Sequence, residues 1–244
     1  MSAHETWLDI AGDPASGLLL IGDHASNHVP DRVDLGIPTE LLGQHIAIDI
    51  GVAPLGRALC AALDCPGILG AISRLVIDLN REHDAAGLIP EASDGSPIPG
   101  NVGLGAAGRT ARIADYWVPY HDRVSQLIRI NRPKMLISLH SFTPRLATSD
   151  AARPWQIGIL YNQDDRAARI ALALLGAAGI IAGDNLPYSG QVLNATMNSH
   201  AEANGIPYLG IEVRQDLIGH ADGVALWAAR LAPVIATTLA GLGG

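Results

Sequence analysis

Apolar residues follow two rhythms along this 244-residue chain. Short unbroken apolar runs at Gly17–Ile21, Ile68–Leu79, Met135–Leu139, Gln156–Leu160 and Pro207–Val213 are bounded by Gly, Pro, Asn or Asp, which predicts mostly buried strands. Between them, apolar positions at helical spacing predict helices over Thr39–Leu63, Arg109–Ile130, Asp164–Ala178 and Ala221–Leu239, the first opened by Thr39 and Glu40. The alternation predicts one α/β domain over residues 1–244, with a mixed, mainly parallel sheet flanked by helices. One segment breaks it. Ala85–Gly108, "AAGLIPEASDGSPIPGNVGLGAAG", is too long and too rich in Gly and Pro for an ordinary connection, and reads as a rim or lid.

Composition narrows the class. Hydrophobic residues make up 48% of the chain, enough for a substantial core, and the net charge of −8 excludes a broad attraction to nucleic acid or anionic lipid. No unbroken apolar run approaches the roughly 20 residues of a membrane span, and the N-terminal stretch "MSAHETWLDIAGDPASG" lacks the basic start and apolar core of a leader. These features predict a cytoplasmic protein. Cys60 and Cys65, the only cysteines, are too few for a disulfide scaffold or a thiolate metal site and read as reduced core residues.

The candidate chemistry gathers where the strands end. His24 follows "LLLIGD" and His140 closes "MLISLH", so imidazoles reach strand ends twice, the place where open α/β sheets bind ligands. Two neutral imidazoles and a carboxylate suit a hydrolytic zinc site with one position left open. Asp49, in the apolar helical stretch "IAIDIGVAPLG", is the carboxylate candidate, because an anionic ligand offsets the metal charge better than the amide of Asn27, its alternative in H-x-x-N. His45, one turn earlier, is a competing partner for Asp49.

Glu212 and Arg214 fall on one face of "GIEVRQDL" by strand alternation, so Glu212 is either a general base, with Arg214 beside it to bind substrate, or one half of a structural ion pair with Arg214. "SRLVIDLNRE" offers Arg74, Asn80 and Arg81; a guanidinium suits a substrate carboxylate, although surface ion pairs would use the same residues. His200 ends a polar loop that can approach the rim, His121 lies within a helix as a packing residue, and His220 is weaker still. Ser141 has no G-x-S-x-G elbow around it, and "GNVGLGAAG" follows no strand, which argues against a serine hydrolase and a dinucleotide site.

The ordered set "DHASNHVP", "HIAIDIG", "SRLVIDLNRE", "IPGN", "LISLHSFTP", "RPWQIGILYN", "DNLPYS" and "GIEVRQDLI" resembles the N-formylglutamate amidohydrolase family from about Leu18 to Ile218. The resemblance implies a phosphorylase/hydrolase-like α/β fold related to zinc carboxypeptidases, with hydrolysis of N-formylglutamate to formate and glutamate in histidine degradation. It implies His24, Asp49 and His140 as the family's histidine, aspartate and histidine positions, and Glu212 as its late acidic position. Asn80–Arg81 resembles the Asn-Arg pair with which zinc carboxypeptidases hold a substrate carboxylate. Deformylase members carry a glycine soon after the first histidine, where this chain has H-A-S-N-H, which leaves the substrate more open than the chemistry.

The leading expectation is therefore a zinc-dependent amidohydrolase acting on a small N-acyl acidic amino acid. Two alternatives stand beside it: an amidase or peptidase for a larger substrate such as a cell-wall peptide, and a small-molecule binding domain without turnover.

Overall fold

In the computed structural model, residues 6–243 are described; Met1–Glu5, part of the N-terminal stretch read above, and Gly244 lie outside the described residues. The chain forms a seven-stranded sheet with the strand order β1-β3-β2-β6-β9-β7-β8. Here β1 is Trp7–Ile10, β2 Leu18–Gly22, β3 Gly67–Gly70, β6 Met135–Phe142, β7 Ile157–Leu160, β8 Ala182–Asp184 and β9 Tyr208–Arg214. β4 (Ala92–Ser93) and β5 (Ser96–Pro97) form a separate hairpin. The four central strands β3, β2, β6 and β9 are parallel, whereas β1 runs antiparallel at one edge, and β7 runs antiparallel to β9 while pairing parallel with β8. The expected single, mainly parallel α/β domain is the fold observed.

Both faces of the central strands are covered, as continuous apolar runs require. On one side α1 (Val52–Leu63), α4 (Arg166–Ala177) and α6 (Ala221–Gly241) bury Leu20, Ile137, Leu139, Ile211 and Val213. On the other, α3 (Val118–Asn131) and α5 (Ala195–His200) pack with Leu19, Ile21, Leu136 and Tyr208. α6, 21 residues long, is long and apolar enough by length and composition to cross a membrane, a stretch the reading of unbroken runs passed over. Its inner face carries Trp227, Leu231 and Ile235 into the core.

Several elements depart from the sequence expectation, each for a local reason. The run Ile68–Leu79 is strand only through Gly70. A Cβ at Gly70 would lie 2.1 Å from the carbonyl oxygen of Asp23, so the backbones crowd there, and the buried remainder continues as turns pinned by Ser73 N–H to the His28 carbonyl. Thr39–Leu63 splits into a 3-10 turn at Thr39–Gly43, a turn segment, and α1, whose cap Gly51 has φ +84°. Asp49 therefore lies just before the helix, not on it. Arg109–Ile130 holds as α2 (Ala106–Arg112), a π-helical turn at Ile113–Trp117, and α3. The edge strands β1 and β8 were not expected, being short and broken by Asp9 or glycine.

The segment 85–108 contains a 3-10 turn at Ala86–Leu88, the β4–β5 hairpin and a second 3-10 turn at Pro99–Asn101 before α2 begins. Its hairpin turns at Asp94-Gly95, both with positive φ (41° and 79°), the conformation a two-residue type I′ turn demands. The Asp94 carboxylate takes hydrogen bonds from the N–H groups of Ala147 and Thr148, from the Thr148 hydroxyl and from His45 Nε2. The hairpin is thereby tied to the loop after β6.

Candidate active site

The C-terminal ends of β2 and β6 and the turn before α1 bring His24, His140 and Asp49 together, all three buried. Each offers a ligand atom, and these atoms lie within 4.8 Å of one another. Both imidazoles turn Nδ1 toward the same carboxylate oxygen, Asp49 Oδ2, at 3.4 Å from His24 and 2.9 Å from His140. His24 Nε2 donates to Asp78 Oδ1 at 2.7 Å, while His140 Nε2 lies 3.4 Å from Asp23 Oδ2 without hydrogen-bond alignment. Each ring thus stands between an inner and an outer carboxylate.

This arrangement answers whether the residues suit a metal. With Nε2–H of His24 committed to Asp78, a neutral ring is left with its Nδ1 lone pair facing a carboxylate oxygen. Two acceptors face each other favourably only with a proton or a metal ion between them. Ligands about 2 Å from a single tetrahedral zinc stand about 3.3 Å apart, close to the two N···O distances here. Outer carboxylates on the remote ring nitrogens are the usual way of orienting metal-binding imidazoles. The donor set fits a divalent cation.

Electrostatics point the same way. Burial alone would lower the His140 imidazolium pKa, yet the carboxylates of Asp23 and Asp49 hold it well above its ordinary value. For His24, burial and Arg74 oppose protonation, but Asp78 and Asp49 leave the pKa raised. Burial would raise the Asp49 carboxyl; His24, the His140 hydrogen bond and Arg74 bring it below the usual carboxylate range. The pocket demands positive charge between these groups.

Glu212 stands beside them. It is the register partner of His140 across β6 and β9, is buried, and its Oε2 has no hydrogen-bond partner among the described residues. Burial, with Asp49 adding to it, pushes its pKa up to about 7 against the pull of His140 and Arg74. The Glu212–Arg214 ion pair considered above is not formed. Arg214 turns to Asp216, with Nε 2.8 Å from Oδ1, and to the Trp155 carbonyl, and it lies outside the residues lining the cavity.

The cavity above the cluster has a volume of about 300 Å³ and is lined among others by Arg74, Asn80, Arg81, Asp94, Tyr188 and Glu212. Arg74 bridges Asp49 Oδ1 (3.1 Å) and Asp78 Oδ2 (2.9 Å), so it neutralises buried acids. Arg81 is less committed, its Nε 3.7 Å from an Asp78 oxygen that already holds Arg74. Asn80 accepts from the Thr196 N–H.

Besides Arg214, two further sequence candidates fall outside the cavity lining. His200 is buried against His121, its Nε2 2.8 Å from His121 Nδ1 with the rings stacked, because α3 and α5 pack there. Asn27 donates its amide to the Leu42 carbonyl at 3.0 Å, which ties down the loop after His24. His45 pairs with Asp94 rather than with Asp49. Sequence reasoning missed Asp23 and Asp78, although a carboxylate inside an apolar run, the signal that singled out Asp49, marks Asp78 as well.

A mixed sheet with two imidazoles and carboxylates converging at its parallel strand ends defines an amide-hydrolysing enzyme of the amidase kind once the comparisons are added. The N-formylglutamate amidohydrolase family model matches residues 16–219, and the chain belongs to that family. Among solved structures, gene product Atu2144 from Agrobacterium tumefaciens is similar over 99% of this chain and 98% of its own, with TM-score 0.92 and 30% identity. N-formylglutamate amidohydrolase from Ralstonia eutropha JMP134 shares the fold with TM-score 0.74 and 18% identity, over 96% of this chain and 97% of its own. Among curated proteins, none matches the chain.

Proposed function

We propose that the protein is a metal-dependent amidohydrolase that splits a small, N-formylglutamate-like N-acyl amino acid into the free acid and the amino acid. The observation that carries this reading is the aim of two imidazole Nδ1 atoms at one Asp49 oxygen, beside an unpartnered buried Glu212. A divalent cation held by His24, Asp49 and His140, zinc by the preference of such a donor set, would polarise the amide carbonyl and acidify water. Glu212, with a pKa near neutrality, takes the proton from the attacking water and passes it to the departing nitrogen. Arg81 and Asn80 receive the carboxylate beside the amide. Arg74 keeps Asp49 and Asp78 charged and in place.

The cavity, of about 300 Å³, lies at the low end for ligand pockets, which favours a small substrate over a cell-wall peptide. With N-formylglutamate itself as substrate, the reaction belongs to histidine degradation. The test is release of free amine from a panel of N-acyl amino acids by metal-reconstituted protein. Turnover abolished by chelation and restored by zinc is expected; no turnover of any member refutes the reading.

A further inference from the structure

Resting on the amidohydrolase reading, we propose that the acyl group this site takes is larger than formyl: a short uncharged chain seated in a pocket floored by Ser138, Gly210 and Leu160. The register places this floor. On β6 and β9, His140 pairs with Glu212, and two residues deeper on the same face Ser138 pairs with Gly210. On β7, Leu160 pairs with Gly210 in turn. All three line the cavity. At about 3.3 Å per residue the floor lies roughly 6.6 Å below the level of His140 and Glu212, a depth that a formyl hydrogen leaves empty and an acyl chain of about two to four carbons fills. Gly210 and Leu160 close it. A Cβ at Gly210 would stand 2.5 Å from the Leu160 carbonyl oxygen, so the β7 backbone lies directly against Gly210 and ends the pocket there.

The pocket is on the acyl side of the scissile bond. Arg81 reaches the cluster through Asp78, the partner of His24 just beyond the end of β2. Gly210 and Leu160 lie on the opposite flank, on β9 and β7. The amino-acid side chain shares its Cα with the carboxylate and stays near Arg81, leaving the far flank to the acyl group. The cavity lining includes Leu160, Leu193 and the Tyr188 ring, and Arg74 and Arg81 are the only Lys or Arg residues in it. Arg153 stacks behind Tyr188, 4.9 Å from the ring centroid, donating to its hydroxyl and to the Thr143 carbonyl. A charged acyl group would be buried there without a counter-ion, an unfavourable state.

The test uses N-formyl-, N-acetyl- and N-butyrylglutamate. Two readouts are taken on zinc-loaded protein: kcat/KM of the wild type, and calorimetric Kd on Glu212→Gln, which is expected to bind without turnover. Expected is a rise in kcat/KM of about fourfold per added carbon, the worth of a buried methylene, with Kd tightening in the same order. Leu193→Trp, which fills the pocket from its loop, should flatten both series. Formyl equal to or better than the longer acyls in both readouts overturns the proposal, and so does failure of all three to bind. If the Kd order holds but none is turned over, the pocket stands and the hydrolytic reading falls.

Discussion

His140 and Glu212 are register partners on adjacent parallel strands, so the pleat fixes a metal-binding candidate and an unpartnered acid on one face of the sheet. Their separation depends on strand pairing, not on a loop. A substitution at either position can therefore alter chemistry while leaving the backbone in place.

Glu212→Gln is expected to fold, to load metal as the wild type does, and to lose roughly 10²–10⁴ in kcat, the usual worth of a positioned acid–base group. Measuring kcat, metal content and Tm together checks this. A folded, metal-loaded variant with wild-type kcat sinks the general-base role.

His24→Ala and His140→Ala should each drop bound metal from about one equivalent to near zero, since each removes one of three protein ligands from an open site. Elemental analysis after dialysis reads it directly. Full occupancy in both variants would reject the ligand set.

The two cavity arginines should behave differently. Arg81→Ala is expected to raise KM and to erase the preference for a free carboxylate over its methyl ester. Arg74→Ala should instead destabilise the protein by about 3 kcal/mol, because it strips a partner from the buried carboxylates of Asp49 and Asp78. Denaturant titration separates the two; equal stability losses would contradict the division of labour.

The His121–His200 pair makes stability fall in mild acid. Burial and the neighbouring His200 lower the His121 pKa to about 4, and burial lowers that of His200 as well. Above the unfolded value of about 6.5 neither folded nor unfolded His121 carries a proton. As pH falls from there toward 4 the unfolded state binds a proton that the folded state refuses, so stability declines by about 1.4 kcal/mol per pH unit for this residue. Unfolding free energies over that range should decline less steeply for His121→Phe. An unchanged slope would show that the pair does not titrate as its burial requires.

Much of this was legible because strand ends announce themselves: an apolar run that stops at His24 or His140 says both where the residue lies and that it is polar at a place ligands reach. Asp49 was legible as an oddity, but its position before α1 depended on Gly51 and the tertiary fit around it. The pleat put Arg214 on the face of Glu212 and could not tell that Asp216, two residues on, would take its charge. His200 misled for a similar reason, since its polar loop passes into α5 and buries it against α3. Asp94 carried a readable signal, an Asp-Gly turn between short extended pieces, whereas its partners at Ala147 and Thr148 lie more than fifty residues away.

That carboxylate also makes the rim a matched set. His24, His140 and Glu212 belong to strands or their immediate ends, while Asp94 and its acceptor-hungry neighbours ride on two separate loops fastened by one side chain. Loop grafting between relatives must respect this: a transplanted hairpin without its partner loop would arrive with a carboxylate answered by His45 alone, and the loop alone with stranded N–H groups. The two form one exchangeable cassette, and new specificities are best sought by moving them together over an untouched hydrolytic centre.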